Sequence, residues 1–160
     1  IAIRKGAISM MIEYWNNPQA TQEKFRGEWM LTGDRGVFED GYIRFIGRDD
    51  DVITSAGYRV GPAEIEDCLL THPAVATVGV VGKPDPMRTE LVKAYVVLKA
   101  DVAPSVALAG ALKTHVKQRL AQYAYPREIG FLDALPMTVT GKVIRKELRK
   151  RACAEIEGTE

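Results

Sequence analysis

The chain has 160 residues, 46% of them hydrophobic, and a formal net charge of +1. That apolar fraction suits a packed globular protein and excludes intrinsic disorder, and the near-neutral charge gives no general attraction to nucleic acid or an anionic membrane. No apolar run approaches the roughly 18 residues of a membrane span and no secretory h-region opens the chain; the two cysteines lack CxxC spacing, which suits a reduced, cytoplasmic protein.

Ile1-Ala2-Ile3-Arg4 reads as a strand already under way, and Ile1 is not an initiator methionine, so a fragment or processed product is expected. Asn17-Pro18 opens a small helix expected to carry Phe25 before a break at Gly27. Glu28-Trp29-Met30-Leu31 reads as a strand ended by Thr32-Gly33-Asp34. Asp40-Gly41 is a hairpin signal, followed by alternation through Tyr42-Ile43-Arg44-Phe45-Ile46. The composition shifts after Gly47, so residues 1–47 and 48–160 are the expected domains.

Val52-Ile53-Thr54-Ser55 and Tyr58-Arg59-Val60 flank Ala56-Gly57 as a second, tight hairpin. Gly61-Pro62 then begins a helix with Pro near its first position and Glu64, Glu66 and Asp67 placed for the helix dipole. Ile65, Cys68 and Leu69 form its apolar stripe, and His72-Pro73 stops it. Cys68 is therefore expected as a reduced core thiol; His72 and His115, not spaced as metal ligands with either cysteine, are expected in structural or surface roles.

Val75 to Val81 and Leu91 to Leu98 are predicted strands, and Ser105 to Leu120 the longest helix, with Leu108, Ala109, Leu112, Val116 and Leu120 on one face. A short strand, Ile129 to Leu132, and a basic helix, Val143 to Ala152, complete the chain. The order predicts an α+β fold: a β-hairpin and a mixed three-stranded sheet, with helices covering one face, preceded by a short β-rich segment.

Pro136 to Arg145 presents Lys142 on a Thr/Gly turn between two apolar-cored segments. A turn-borne lysine is a mobile point charge suited to an anion from outside its own domain; a solvated surface lysine is the plainer reading. Neither Gly-Lys pair is a P-loop, because Pro136 and Val143 occupy its required Gly and Ser/Thr positions, and Pro84 follows Gly82-Lys83.

Three separated segments occur in order: Trp29-Met30-Leu31-Thr32-Gly33-Asp34; Gly47-Arg48-Asp49-Asp50-Asp51-Val52-Ile53, running on to Gly57-Tyr58-Arg59-Val60-Gly61-Pro62-Ala63-Glu64-Ile65-Glu66; and Pro136 to Arg145. Together they resemble the C-terminal portion of the adenylate-forming superfamily, which comprises acyl-CoA synthetases, nonribosomal-peptide adenylation domains and luciferases. The resemblance runs along nearly the whole chain. Ser55 to Pro62 and Tyr125-Pro126-Arg127 look most like the AMP-forming medium-chain acyl-CoA synthetases.

That resemblance implies a small C-terminal lid domain behind the last segment of a large adenylation domain. It also implies a two-step reaction: a carboxylate, of the short- or medium-chain fatty acid kind, reacts with ATP to give acyl-adenylate, and the CoA thiol then displaces AMP. ATP, CoA and Mg2+ bound through ATP are the implied cofactors. Lys142 would reach the α-phosphate and the attacking carboxylate, where negative charge accumulates. Asp34 would accept the ribose hydroxyls, against an Asx turn as the alternative.

Arg48 would contact ribose or phosphate, against a surface ion pair with a nearby aspartate; Arg59 would sit near phosphate or adenylate, against a solvated hairpin arginine. Asp50 matches the hinge, against a solvated or metal-binding acidic run at Asp49-Asp50-Asp51; no metal site is expected. Ala56, Gly57, Tyr58, Arg88, Lys117, Tyr125, Pro126 and Arg127 match CoA-contacting positions, with a turn glycine and solvated cations as the plainer alternatives.

Two positions depart from the family: Met137 stands where many relatives have Lys, and Thr54 where Lys or Asn is common. The Ser/Thr/Gly-rich loop that grips ATP phosphates is absent from these 160 residues, so the chain alone is expected to be inactive. A regulatory module whose Lys142 is acylated by a protein acetyltransferase is an alternative, since Pro136, four residues, then Gly141-Lys142 resembles such sites. The lid of an aryl or amino-acid ligase is another. A ferredoxin-like nucleic-acid binder lacks the expected aromatic platform and basic face.

Overall fold

The structure, a computed structural model, describes residues 1–157. The chain divides into two compact units, Ile1–Asp50 and a second that begins at Asp51.

In the first unit, β1 (Ala2–Arg4), β2 (Phe25–Arg26) and β3 (Trp29–Leu31) form an antiparallel sheet with β3 central. The helix α1 (Pro18–Glu23) is capped by Asn17, whose Oδ1 accepts from the Ala20 N–H at 3.1 Å. It stops before Phe25, contrary to the expectation. Gly27, at φ +57°, turns the chain so that Phe25 and Arg26 pair with Met30 and Trp29, and strand pairing displaces the helix there. β4 (Asp34–Glu39) and β5 (Tyr42–Arg48) form the hairpin signalled by Asp40-Gly41. Both turn residues have positive φ, 50° and 84°, as a two-residue type I′ turn requires. Pairing of Asp34 with Arg48 carries this unit past the composition shift at Gly47.

The second unit opens with β6 (Ile53–Ser55), β7 (Tyr58–Val60), α2 (Pro62–Leu70) and β8 (Val75–Asp85), and continues with β9 (Thr89–Leu98), α3 (Val106–Lys117), β10 (Glu128–Phe131) and α4 (Arg145–Glu157). β9 is the hub. β8 runs antiparallel along it, and β10 lies parallel over Lys93–Val96, a geometry that needs the crossover α3 supplies. The sheet has five strands rather than three, because the β6–β7 hairpin joins it through Ser55 opposite Thr89. α3 is capped by Ser105, whose Oγ accepts from Leu108 N–H at 3.1 Å, and ends before Leu120.

Helices cover both faces of this sheet, not one. The period-2 alternation of strand side chains divides β8 and β9 between two cores. Val78, Val80, Val92, Ala94 and Val96 pack with Ile65 and Leu69 of α2 and Leu112 and Val116 of α3. Val81 and Tyr95 join Leu135 and, from α4, Leu148 and Ala152 on the other side. Gly79 is what lets α4 approach: a Cβ there would lie 2.6 Å from Leu148 Cδ1 and 3.0 Å from Val143 Cγ1.

Beside the α4 core, Glu128 accepts hydrogen bonds from Lys83 Nζ and Lys93 Nζ, each at 2.9 Å at closest, and Glu155 of α4 is paired with Lys93 and accepts from Tyr95 Oη at 3.0 Å. Burial pushes the Glu128 carboxyl up, but the two ammonium partners outweigh it and hold the group below its ordinary value.

Candidate functional site

Asp34 and Arg48 are cross-strand partners at the open end of the β4–β5 hairpin. Arg48 Nη1 lies 3.5 Å from Asp34 Oδ1, and Arg48 Nε donates to Asp50 Oδ1 at 3.4 Å. The local turn bond is made by Thr32, whose Oγ1 accepts from the Asp34 N–H at 3.1 Å. The Asp34 carboxylate therefore sits beside a guanidinium and is not taken up in that turn. Arg48 does make the surface ion pairs of its plainer reading, and its side chain remains half exposed. Lys24, which the sequence did not single out, joins this group. A Cβ on Gly33 would meet Arg48 Nη2 at 3.2 Å and Lys24 Nζ at 3.3 Å, and φ of +81° already favours glycine there.

In the second unit, Lys142 sits exposed on a closed turn. Thr138 N–H donates to Lys142 O at 2.8 Å, Gly141 N–H to Thr138 O at 2.9 Å, and Lys142 N–H to Thr138 Oγ1 at 3.1 Å. An antiparallel bridge between Met137 and Val143 closes its base, and Ile144 N–H reaches Pro136 O at 2.8 Å. The backbone is thus held while the side chain extends into solvent. Arg59 is exposed on β7 opposite Thr54.

The CoA candidates converge more closely. An open cleft of about 290 Å³ is lined by Ala56, Tyr58, Arg88, Tyr123, Tyr125 and Arg127, among others. Tyr58 and Tyr123 are stacked with centroids 4.3 Å apart and planes 3° from parallel. Lys117 Nζ and Arg127 Cζ lie over the Tyr125 ring at 5.6 and 4.6 Å. Ala56 N–H donates to Arg88 O at 2.9 Å, tying the hairpin tip to the cleft wall. Ala56 and Gly57 take φ of 50° and 83°, again a type I′ turn, although alanine seldom adopts that conformation.

Gly57, Lys117 and Pro126 do not line the cleft: Gly57 is exposed at the tip, Lys117 touches it through Tyr125, and Pro126 is buried. Tyr123 was missed by the sequence reading; its spacing of two from Tyr125 was the available signal. A cleft with two guanidinium groups and an accessible aromatic pair fits a ligand that carries phosphates and a planar base. Among the described residues, no group of three or more His, Cys, Asp or Glu converges to hold a metal ion.

Cys68 is buried and free, and burial pushes its thiol up, away from the reactive thiolate. His115 Nε2 lies 2.8 Å from Thr71 Oγ1 and 3.2 Å from Cys68 O, a structural placement.

Residues 64–142 match the AMP-binding enzyme C-terminal domain. The chain is 48% identical over 151 residues to the acetyl-coenzyme A synthetase of Bacillus subtilis (strain 168), which covers 93% of this chain and 26% of that protein. It is 46% identical over 152 residues to the human mitochondrial acyl-coenzyme A synthetase ACSM1, again with 93% of this chain and 26% of the relative aligned. The chain thus spans about a quarter of the length of these relatives. Among solved structures, the anthranilate CoA ligase AuaEII in complex with anthranoyl-AMP superposes with a TM-score of 0.81 at 39% identity, over 91% of this chain and 28% of that one.

Proposed function

We propose that this chain, whose residues 64–142 match the AMP-binding enzyme C-terminal domain, is the C-terminal part of an AMP-forming acyl-CoA synthetase. Such an enzyme activates a short- or medium-chain carboxylate as acyl-adenylate and transfers it to CoA in a reducing, cytoplasmic setting. The observation that carries the reading is the cleft in which Arg88, Arg127 and the Tyr58–Tyr123 stack meet, in a chain that also holds Lys142 out on a rigid turn.

Asp34 offers two carboxylate oxygens to the ribose hydroxyls of ATP, Arg48 brings positive charge beside them, and Lys24 Nζ lies near Gly33. Lys142 approaches the α-phosphate, where its ammonium stabilises the charge that builds as the acyl carboxylate attacks and pyrophosphate leaves. Mg2+ comes with the ATP phosphates. Rotation at Asp50 then exchanges Lys142 for the β6–β7 hairpin, and the cleft guides CoA so that its sulfur attacks the acyl carbonyl and AMP departs.

In the full-length enzyme, Lys142→Ala is expected to slow ATP–pyrophosphate exchange by on the order of 10²–10³. Thioester formation from supplied acyl-adenylate should largely survive. Equal loss in the two half-reactions would remove the assignment of Lys142 to adenylation.

A further inference from the structure

Three residues beyond Lys142, the first residue of α4 is held by a carboxylate pair that the reaction scheme leaves unused. Arg145 donates through all three of its guanidinium nitrogens: Nε to Glu66 Oε1 at 3.3 Å, Nη2 to Glu66 Oε2 at 2.5 Å, and Nη1 to Asp51 Oδ2 at 3.2 Å. The other Asp51 oxygen accepts from Arg149 Nη1, one turn along α4, at 3.0 Å. Glu66 Oε1 also accepts from the Val80 N–H at 2.8 Å, on the edge of β8 that faces away from β9. The carboxylates are well shielded, with side chains 12% exposed for Asp51 and 13% for Glu66. Charges this far out of water are screened little, and the bidentate fork fixes orientation as well as distance.

Sequence position gives the network its meaning. Asp51 is the first residue of the second unit and follows Asp50 directly. Its pair with Arg145 joins residues 94 positions apart. The Lys142 turn is closed at its base by the Met137–Val143 bridge and the Ile144–Pro136 bond, so it has little independent freedom from the start of α4. Val143 and Leu148 press on Gly79 just beyond.

We propose that Arg145, gripped by Asp51 and Glu66, is a positioning residue for Lys142. It ties the lysine turn to the residue that follows the hinge, so that a rotation at Asp50 delivers Lys142 to the adenylation site as part of one rigid body. Without the tie, the turn would follow the hinge with slack, and misplacement of a reacting group by about 1 Å can lower a rate about a hundredfold. In the thioester-forming pose Lys142 is away from the chemistry, and the tie ceases to matter to the rate.

The proposal rests on the reading of Lys142 given above, and the two are separated by one set of measurements on the full-length enzyme. The quantity read is the ratio of ATP–pyrophosphate exchange to thioester formation from supplied acyl-adenylate, because a loss of folded enzyme lowers both by the same factor. Arg145→Gln is expected to lower that ratio about a hundredfold. Arg145→Lys keeps the charge, gives up the fork, and is expected to lower it by a smaller factor. It also carries the test where the glutamine variant is too poorly folded to assay. In a Lys142→Ala background, Arg145→Gln should change the ratio by no more than about twofold, since residues that act as one unit are not additive. An unchanged ratio in both Arg145 variants, or an undiminished effect in the Lys142→Ala background, overturns the positioning role. Normal exchange by Lys142→Ala itself overturns the reading of the site on which that role rests.

Discussion

Tyr123 and Tyr58 stack face to face while each ring stays about half exposed, an arrangement that keeps aromatic surface available to a ligand. Stacking of a base on an aromatic side chain is worth about 1–3 kcal/mol, so Tyr123→Ala is expected to raise the KM for CoA roughly tenfold while ATP–pyrophosphate exchange stays unchanged. Steady-state kinetics against CoA and an exchange assay check this; an unchanged KM would remove Tyr123 from the CoA path. At this scale the sequence showed residue type well and partnership poorly. Asp34 and Lys142 stood out as candidates because the motifs around them mark them, and Tyr125 and Arg127, which line the cleft, through the family resemblance. Lys24 and Tyr123 did not, because a lysine ten residues before Asp34 or a tyrosine in a short turn gains meaning only from what folds against it. Glu66 was assigned to the dipole of α2, but only Glu64 lies in the first turn, and Glu66 instead faces Arg145.

Among the elements, the turn at Asp40-Gly41 was readable because that pair readily supplies positive φ, and the strands flanking Ala56-Gly57 from their composition, whereas the first arm of the β4–β5 hairpin, Asp34–Glu39, was not read as a strand. The stripe of α3 was readable too, since Leu112 and Val116 recur at helical spacing and both are buried. The placement of α4 was not. Its sequence, with Arg145, Lys146, Arg149, Lys150 and Arg151, reads as a solvated helix, yet Leu148 and Ala152 are fully buried against the sheet. The signal lay elsewhere, in Gly79, an interior strand glycine that marks a close approach. Gly79→Ala would place a methyl group into Leu148 and Val143 at 2.6 and 3.0 Å. Overpacking of this kind costs about 1–3 kcal/mol, so the denaturation midpoint should fall without a change in slope. A midpoint equal to wild type would show that α4 can shift outward freely.

For the whole molecule, the Asp34–Arg48 pair belongs to the unit Ile1–Asp50, whereas Lys142 and the Tyr58–Tyr123 cleft belong to the unit beginning at Asp51. A Ser/Thr/Gly-rich loop of the kind that grips ATP phosphates is not found in these 160 residues. The chain by itself is therefore expected to show only background ATP–pyrophosphate exchange, and exchange near the rate of a full-length relative would overturn that expectation. The amino-acid sequence alone determined the family resemblance, the α+β class, the turns and which residues are candidates for the chemistry, because these depend on local backbone preference and on short motifs. Only the tertiary structure decided that the hairpin joins the sheet, that helices cover both its faces, and that Arg145 is held by Asp51 and Glu66. Those are contacts between distant positions, and their energy comes from burial and charge pairing that no local pattern encodes.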